Sequence, residues 1–365
     1  MLYRTIARPI LFRMDPELAH RLIVHGLGKA VRLPGALPLM RCLWDARPDP
    51  RLETELFGIR FRHPVGLAAG LDKDAVAVEG FAGMGLAFLE VGTVTPVGQP
   101  GNDRPRLFRL PDDEALINRM GFNNEGAEAM AARLARLKER RVPIAVNIGK
   151  NKATPNDQAP EDYRKCLRAL YPYGDFFVIN ISSPNTPDLR KLQHGEELKA
   201  LLDAMRSEIA EQAARTGGKP KPVVVKIAPD MTEAELEQTV GILADGGVSG
   251  IIATNTTLSR DGLVHPNRSQ QGGLSGRPLR ARSTDVIRAI YRLTGGRLPI
   301  IGSGGIFDAR DAYDKIRAGA SLVEVYTALI YKGPGVVRGI AAELSDLLAQ
   351  GGFRRIGDAV GADHR

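Results

Sequence analysis

Eight short apolar runs recur along the chain, spaced so that a helix fits between successive runs, and no other feature restricts the fold as much. They are PVGLAAG (64–70), FLEVGTVT (88–95), IAVNIG (144–149), FFVINIS (176–182), VVVKIA (223–228), GIIATNT (250–256), PIIGSGG (299–305) and LVEVYTA (322–328). Each is bounded by Gly, Pro or polar residues and is nearly continuous rather than alternating, as strands buried on both faces are. Between them lie helical segments. NEGAEAMAARLARLKER (124–140) is rich in strong helix formers, GEELKALLDAMRSEIAEQAAR (195–215) repeats an apolar helical face, and TEAELEQTVGILADGG (232–247) opens on a Thr cap and closes on glycines. Strand–helix alternation repeated eight times predicts an α/β fold, a parallel (β/α)8 TIM barrel. A doubly wound sheet is the rival, but no G-x-G-x-x-G follows the first strand.

A barrel of this kind carries its chemistry at the C-terminal ends of its strands. Read in order, those ends are Gly70-Leu71-Asp72-Lys73, Thr93, Asn147, Asn180 with Ser183, Lys226, Thr254-Asn255, Gly304-Gly305 and Tyr326-Thr327. Small, amide-bearing and cationic residues dominate this set, which a purely structural barrel has no need of.

The first 50 residues differ in character. Asp15 and Pro16 make a good N-cap and first-turn pair. Leu18, Leu22, Leu27 and Val31 then follow at helical spacing. Residues 1–47 hold eight Arg and Lys (4, 8, 13, 21, 29, 32, 41, 47) against three acids (15, 17, 45), a local net of +5 out of +8 for the whole chain. A short basic amphipathic segment can lie on an anionic membrane surface; on pattern alone, a helical layer plugging the bottom of the barrel is the simpler reading. The domain division expected is a cap over 1–50, a barrel over 51–345 and a tail over 346–365.

Elsewhere the basic residues are scattered and aromatics are few, so no nucleic-acid-binding surface is evident. Cys42 and Cys166 stand far apart without CxxC spacing, and the six histidines show no metal-ligand pattern. No metal site is expected. No apolar run approaches the ~18 residues of a membrane-spanning helix, and the N-terminus lacks the apolar core of a secretory signal.

Three glycine-rich stretches, QGGLSGRP (271–278), IGSGGI (301–306) and YTALIYKGPG (326–335), fall at the late strand ends where barrels commonly bind phosphate through backbone N–H groups. Lys226, inside an apolar run, needs a partner. It could be a salt-bridged structural residue, a Schiff-base lysine or a cation facing an electron-rich cofactor. Lys73 could equally be a surface residue beside two aspartates. Asn118, Asn147, Asn180, Asn185 and Asn255 all fall at or above strand ends, and five amides on one face suit a ring that both donates and accepts hydrogen bonds. In NISSPNT (180–186) two serines stand without a histidine, although a serine needs activation to act.

The motifs GLAAGLDKD, EVGTVTP, QPGNDRPRLFRL, INRMGFNN, NIGKNK, INISSPNTPDLR, VKIAPD, ATNTT, GGLSGRPL, IIGSGGI and GASLVEVYTALIYKGP resemble the dihydroorotate dehydrogenase family, in particular its quinone-linked class 2 branch. The resemblance runs in register from about residue 56 to residue 335 and more weakly through the cap. It implies an FMN-dependent (β/α)8 enzyme of pyrimidine (UMP) biosynthesis that oxidises (S)-dihydroorotate to orotate and is re-oxidised by a membrane quinone. By motif match it implies FMN contacts at Ala69, Gly70, Leu71, Asp72, Lys73, Thr93, Asn147, Asn180, Lys226, Thr254, Gly276, Gly305, Tyr326 and Thr327. It implies substrate contacts at Lys73, Asn118, Arg119, Met120, Gly121, Phe122, Asn180, Asn185, Asn255 and Thr256.

The same resemblance assigns the catalytic base to Ser183, taking the C5 proton while hydride leaves C6, with Ser182 as a loop-shaping hydroxyl. Thr186 and Phe122 would flank a proton relay, and Lys226 would stabilise negative charge on the reduced flavin. Class 1 relatives carry cysteine at the base position, so serine there, together with the extension, selects class 2. The cap then becomes a quinone port with His20 and Arg21 as contacts, on a protein peripheral to the cytoplasmic face of a bacterial inner membrane. The stretch 95–124 and the loop after Ser183 would cover the substrate. Rival readings are a soluble FMN dehydrogenase using fumarate or NAD, a Schiff-base lyase or isomerase built on Lys226, and a barrel without catalytic activity.

Overall fold

Eight parallel strands close into a barrel: β1 (Val65–Leu67), β2 (Leu89–Val94), β3 (Ile144–Ile148), β4 (Phe176–Asn180), β5 (Val223–Ile227), β6 (Gly250–Ala253), β7 (Ile300–Ser303) and β8 (Ala320–Val325). The structure, a computed structural model, describes residues 2–365; Met1, the first residue of the expected cap, lies outside the described residues. Each strand falls within one expected run, apart from two extra residues at the start of β8. The ladder stops one to three residues before the run does. The helices expected over 195–215 and 232–247 are found at Gly195–Thr216 and Glu233–Asp245, the latter capped by Thr232 in a capping box with Glu235. The one expected over 124–140 is shorter. Asn124–Gly126 pairs as a strand with Val97–Gln99, and the helix occupies only Ala127–Leu134. The Asn124 side chain is the reason: it bonds Thr95, the Phe122 carbonyl and the Gly126 amide, which holds this stretch extended.

Successive strand side chains alternate between faces, so residues two apart point the same way. The inward set forms two layers. The lower one is apolar: Phe88, Ala145, Phe176, Val178, Val224, Ile252, Ile301 and Leu322 pack as one cluster. Two residues further along the same strands, the upper layer is polar: Glu90, Asn147, Asn180, Lys226, Thr254, Ser303 and Glu324, all buried. The barrel is thus a sealed hydrophobic plug below and a buried polar floor above. The bottom is closed by a hairpin, Thr54–Leu56 with Ile59–Phe61, whose Phe61 packs edge-on against Phe88 at 5.5 Å.

Beside that hairpin His63 is buried, its Nε2 2.9 Å from the Gly85 carbonyl and its Nδ1 accepting from the Val65 amide. This arrangement needs the neutral imidazole. Burial, and secondarily Arg62, lowers its pKa from 6.5 to about 3. Below pH 6.5 the unfolded chain takes up a proton that the folded one refuses, so stability falls by about 1.4 kcal/mol per pH unit between 6.5 and 3 from this group alone. Denaturant unfolding across that range is expected to show the slope in the wild type and to lose one proton's worth of it in His63→Asn.

The N-terminal residues do not plug the bottom. Helices α1 (Arg8–Arg13), α2 (Pro16–Ala30) and α3 (Ala36–Trp44) sit at the mouth end, where α2 meets the strand Leu107–Leu110 and His20 bonds the Leu71 carbonyl at 2.7 Å. Asp15 caps α2 as expected, its carboxylate accepting from the Leu18 amide. The packed face differs in part from the expected leucine stripe, of which Leu27 packs against the core at Gly80. Ala19, Val24 and Gly28 are buried, while Leu18 and Leu22 are exposed. Close approach selects the small residues, since a Cβ at Gly28 would lie 2.4 Å from the Val76 carbonyl oxygen. Glu17 ties the cap to the mouth through Arg104 (2.9 Å) and the buried Arg106 (2.8 Å). At the other terminus, residue 346 falls inside the helix Val336–Gln350, and the last residues pack on the barrel through Ile356, Ala359 and the His364 ring stacked on Tyr291 at 4.6 Å.

Candidate active site

Two cavities lie side by side at the barrel mouth, sharing His20, Leu107 and Tyr326 in their walls. The first, about 1120 Å³, is lined by residues from every side of the mouth. Of the residues singled out from the sequence, Ala69, Gly70, Lys73, Thr93, Asn118, Met120, Gly121, Phe122, Asn180, Ser183, Asn185, Lys226, Thr254, Asn255, Thr256, Gly276, Gly305, Tyr326 and Thr327 line it. Five lie off its wall, each for a visible reason. The Asp72 carboxylate accepts from the Val76 and Ala77 amides at 2.8 Å each and shapes the loop. Leu71 faces the second cavity. Asn147 sits in the floor, giving a hydrogen bond to Glu90 and accepting one from Thr93. Arg119 turns to the outer rim, bonded to Gln270 and lying over the Phe108 ring at 4.6 Å. Thr186 is buried, its hydroxyl without a partner among the described residues.

The five asparagines form two linked groups. Asn180 donates to Thr93 (2.8 Å) and to Asn147 (3.2 Å), and its own oxygen accepts from Asn255 (3.3 Å). Across the cavity Asn185 donates to Asn118 at 3.1 Å. The neighbouring serines separate cleanly. Ser182 lies within the amide group, accepting from Asn255 at 3.0 Å and reaching the Asn180 oxygen at 3.3 Å, whereas Ser183 faces the cavity with its oxygen accepting from the Asn185 amide at 3.2 Å. Phe122 takes φ +54 beside Gly121, a backbone state that side chains larger than glycine rarely adopt. Here it turns the ring into the cavity.

Lys226 is paired. Its Nζ is 2.6 Å from Glu90 and 3.5 Å from Glu324. Burial works against its charge, but Glu324 and Glu90 outweigh that and raise its pKa. Lys73, in contrast, bonds only the Asn123 amide oxygen (2.9 Å) among the described residues, and burial with Arg106 nearby lowers its pKa to about 8. It remains a cation at neutral pH, placed for an anionic ligand. Glu90 and Glu324 were not singled out from the sequence, nor were Ser275, Leu279, Ile306 and Phe307 in the wall.

At the far end the amides of Gly304, Gly305 and Ile306 follow β7 without a backbone partner among the described residues, and Ser275 bonds Thr327 at 3.0 Å. Gly305 has φ +71, and a Cβ there would lie 2.5 Å from the Arg280 backbone. Free N–H groups held that tightly suit a phosphate. A phosphate end, a floor bearing a lysine and a ring of amides fit a phosphate-bearing flavin.

The second cavity lies between the cap and the barrel and is mostly apolar, with Leu11, Ala19, Ile23, Phe81 and Leu329 among its walls and Arg109 as the one charged residue among the described ones. His20, Leu107 and Tyr326 line both cavities. Burial, then Lys73, lowers the His20 pKa to about 4, so its ring is neutral. Arg21 is exposed and lines neither cavity. Among the described residues no cluster of three metal-ligating side chains occurs, and no helix is long and apolar enough to cross a membrane.

The fold is a TIM barrel with a polar, phosphate-ready site at its mouth. The dihydroorotate dehydrogenase family model matches residues 51–348. The chain is 54% identical to the dihydroorotate dehydrogenase (quinone) of Deinococcus radiodurans and 56% identical to that of Deinococcus deserti, each alignment covering 99% of this chain and 100% of the relative. The crystal structure of DHODH from Eimeria tenella in complex with ferulenol superposes with a TM-score of 0.89 at 42% identity, covering 96% of both chains. The chain belongs to the dihydroorotate dehydrogenase family, a family of flavin-dependent oxidoreductases, and its similarity is to the quinone-linked members.

Proposed function

We propose that the protein oxidises (S)-dihydroorotate to orotate in pyrimidine biosynthesis, with FMN in the first cavity and a membrane quinone in the second. The observation that carries this reading is the wall that the two cavities share at His20, Leu107 and Tyr326: a polar, phosphate-ready site lies against an apolar one under the N-terminal cap. FMN, when bound, supplies the hydride acceptor and the route for electrons to quinone. The chain's residues do the rest. Lys73 and the asparagines Asn118, Asn180, Asn185 and Asn255 hold the anionic, amide-bearing ring, which offers donors and acceptors matched to theirs. Ser183 takes the C5 proton as hydride leaves C6; it needs no strong base beside it because that proton becomes acidic only as the hydride departs. The buried, unpartnered Thr186 hydroxyl offers the proton its next stop. Phe122 covers this path and excludes water.

Residues 1–50 are then a membrane-associated cap on the barrel, placing the protein at the cytoplasmic face of the inner membrane. Among the described residues, nine of the thirteen exposed large hydrophobics lie in the first 43 positions: Leu2, Ile6, Ile10, Leu18, Leu22, Ile23, Leu33, Leu39 and Leu43. Such a face, interleaved with arginines, suits an anionic lipid surface. Filling the second cavity separates the two half-reactions. Ala19→Phe is expected to leave the rate of flavin reduction by dihydroorotate within about twofold and to slow re-oxidation by a short-chain ubiquinone analogue by tenfold or more, the loss of roughly 1.4 kcal/mol of acceptor binding. Stopped-flow measurement of each half-reaction checks it. Equal slowing of both, or of neither, removes the quinone from this cavity.

A further inference from the structure

Glu324 carries no role in the reaction as described, yet it stands in the floor of the cofactor cavity with one carboxyl oxygen buried and without a partner among the described residues. We propose that Glu324 is a positioning residue that keeps its proton, so that the floor beneath the flavin is electrically neutral, and that its ionisation makes the bound flavin harder to reduce. The inference rests on the flavin reading above.

Three ionisable groups share the floor: Glu90 from β2, Lys226 from β5 and Glu324 from β8. One cation cannot neutralise two carboxylates, and the donors present decide which acid keeps its charge. Glu90 receives three: Lys226 Nζ and the Ala69 amide at one oxygen, Asn147 at the other, all at 2.6 Å. Glu324 receives only Lys226, at 3.5 Å. An anion so poorly solvated in a buried site takes up a proton. Burial first, and the Glu90 charge second, raise the Glu324 pKa well above the ordinary carboxyl range. Nothing else nearby opposes this. The strands flanking β8 set Ser303 and Gly66 opposite Glu324. The charged residues of the helix Ala309–Arg317 lie outside the barrel wall, with Lys315 bonded to Ser283 and Thr284.

With the proton in place, the three groups sum to zero: −1 on Glu90, +1 on Lys226 and none on Glu324. Without it they sum to −1, against the ring that must receive electrons. An amide at this position is neutral at every pH and removes the switch.

The test compares the wild-type holoenzyme with Glu324→Gln. The midpoint potential of the bound flavin is measured by spectroelectrochemistry from neutral pH to the alkaline limit of stability. The two proteins are expected to coincide at neutral pH, and the wild-type potential to fall below that of the variant as pH rises. A variant potential higher than wild type already at neutral pH would mean that Glu324 is ionised there, and curves that stay parallel throughout would mean that its charge is not felt; either overturns the proposal. Infrared spectra supply a second readout that does not need the variant to hold flavin. A buried protonated-carboxyl C=O band in the wild type at neutral pH, lost on alkalinisation, upholds the proposal, and its absence overturns it. If the purified protein carries no flavin at all, the functional reading fails instead, and the infrared band still reports on Glu324.

Discussion

Ser183→Ala is expected to slow flavin reduction by dihydroorotate by roughly 10²–10⁴-fold at neutral pH, the usual worth of a positioned general base, with the bound-flavin content unchanged. The content should hold because the Ser183 hydroxyl accepts only from the neighbouring Asn185 amide, within its own loop, and the amide group that shapes the floor runs through Ser182 instead. Ser182→Ala therefore serves as the comparison. It is expected to weaken flavin retention or stability by about the 1 kcal/mol of a lost hydrogen bond, with a much smaller effect on the chemical step. Single-turnover reduction followed anaerobically at 450 nm checks both variants. If the two behave alike, the division of labour between the serines is wrong.

The second large effect concerns the floor. Lys226→Met is expected to cost about 3–5 kcal/mol of stability, because it leaves the Glu90 carboxylate and the Glu324 carboxyl buried without their cation. A methionine fills similar volume, so packing is a minor part of the loss. The triple variant Lys226→Met, Glu90→Gln, Glu324→Gln carries no buried charge here and is expected to recover most of the lost stability in thermal unfolding. It should not recover flavin reduction, since the cation facing the flavin is gone. Recovery of both would make Lys226 a structural residue alone. Failure to recover stability would mean that the cost arises from packing.

Much of the barrel was legible because its signal is local: apolar runs of strand length separated by helix formers need no tertiary information, and every run contains a strand. The cap was legible only as a helix. Leu18, Leu22, Leu27 and Val31 have the right spacing for a packed face, but helical spacing does not say which stripe meets protein and which meets another apolar phase. In α2 the barrel side is taken by Ala19, Val24 and Gly28 beside Leu27, because at Gly28 the helix approaches the loop at Val76 too closely for leucine.

At the site, lining residues on strand ends could be read from position, whereas Asp72, Asn147 and Arg119 could not be told from them, since a side chain turned a few ångströms into the floor, the loop or the rim looks the same in sequence. Glu90 and Glu324 were missed although the signal was present. FLEVGTVT and LVEVYTA each bury an acid in an apolar run, and a buried acid, like the buried Lys226, needs either a partner or a proton. The apolar cavity had no local signal, because its walls come from the cap, from the strand Leu107–Leu110 and from residues after β8.

The measurement that bears most directly on the central claim is the visible absorption spectrum of the purified protein under anaerobic conditions, before and after addition of dihydroorotate. The account predicts a flavin spectrum that bleaches on addition and returns when quinone is supplied. A flavin that stays oxidised in the presence of dihydroorotate, or a colourless protein that takes up no FMN, would contradict it.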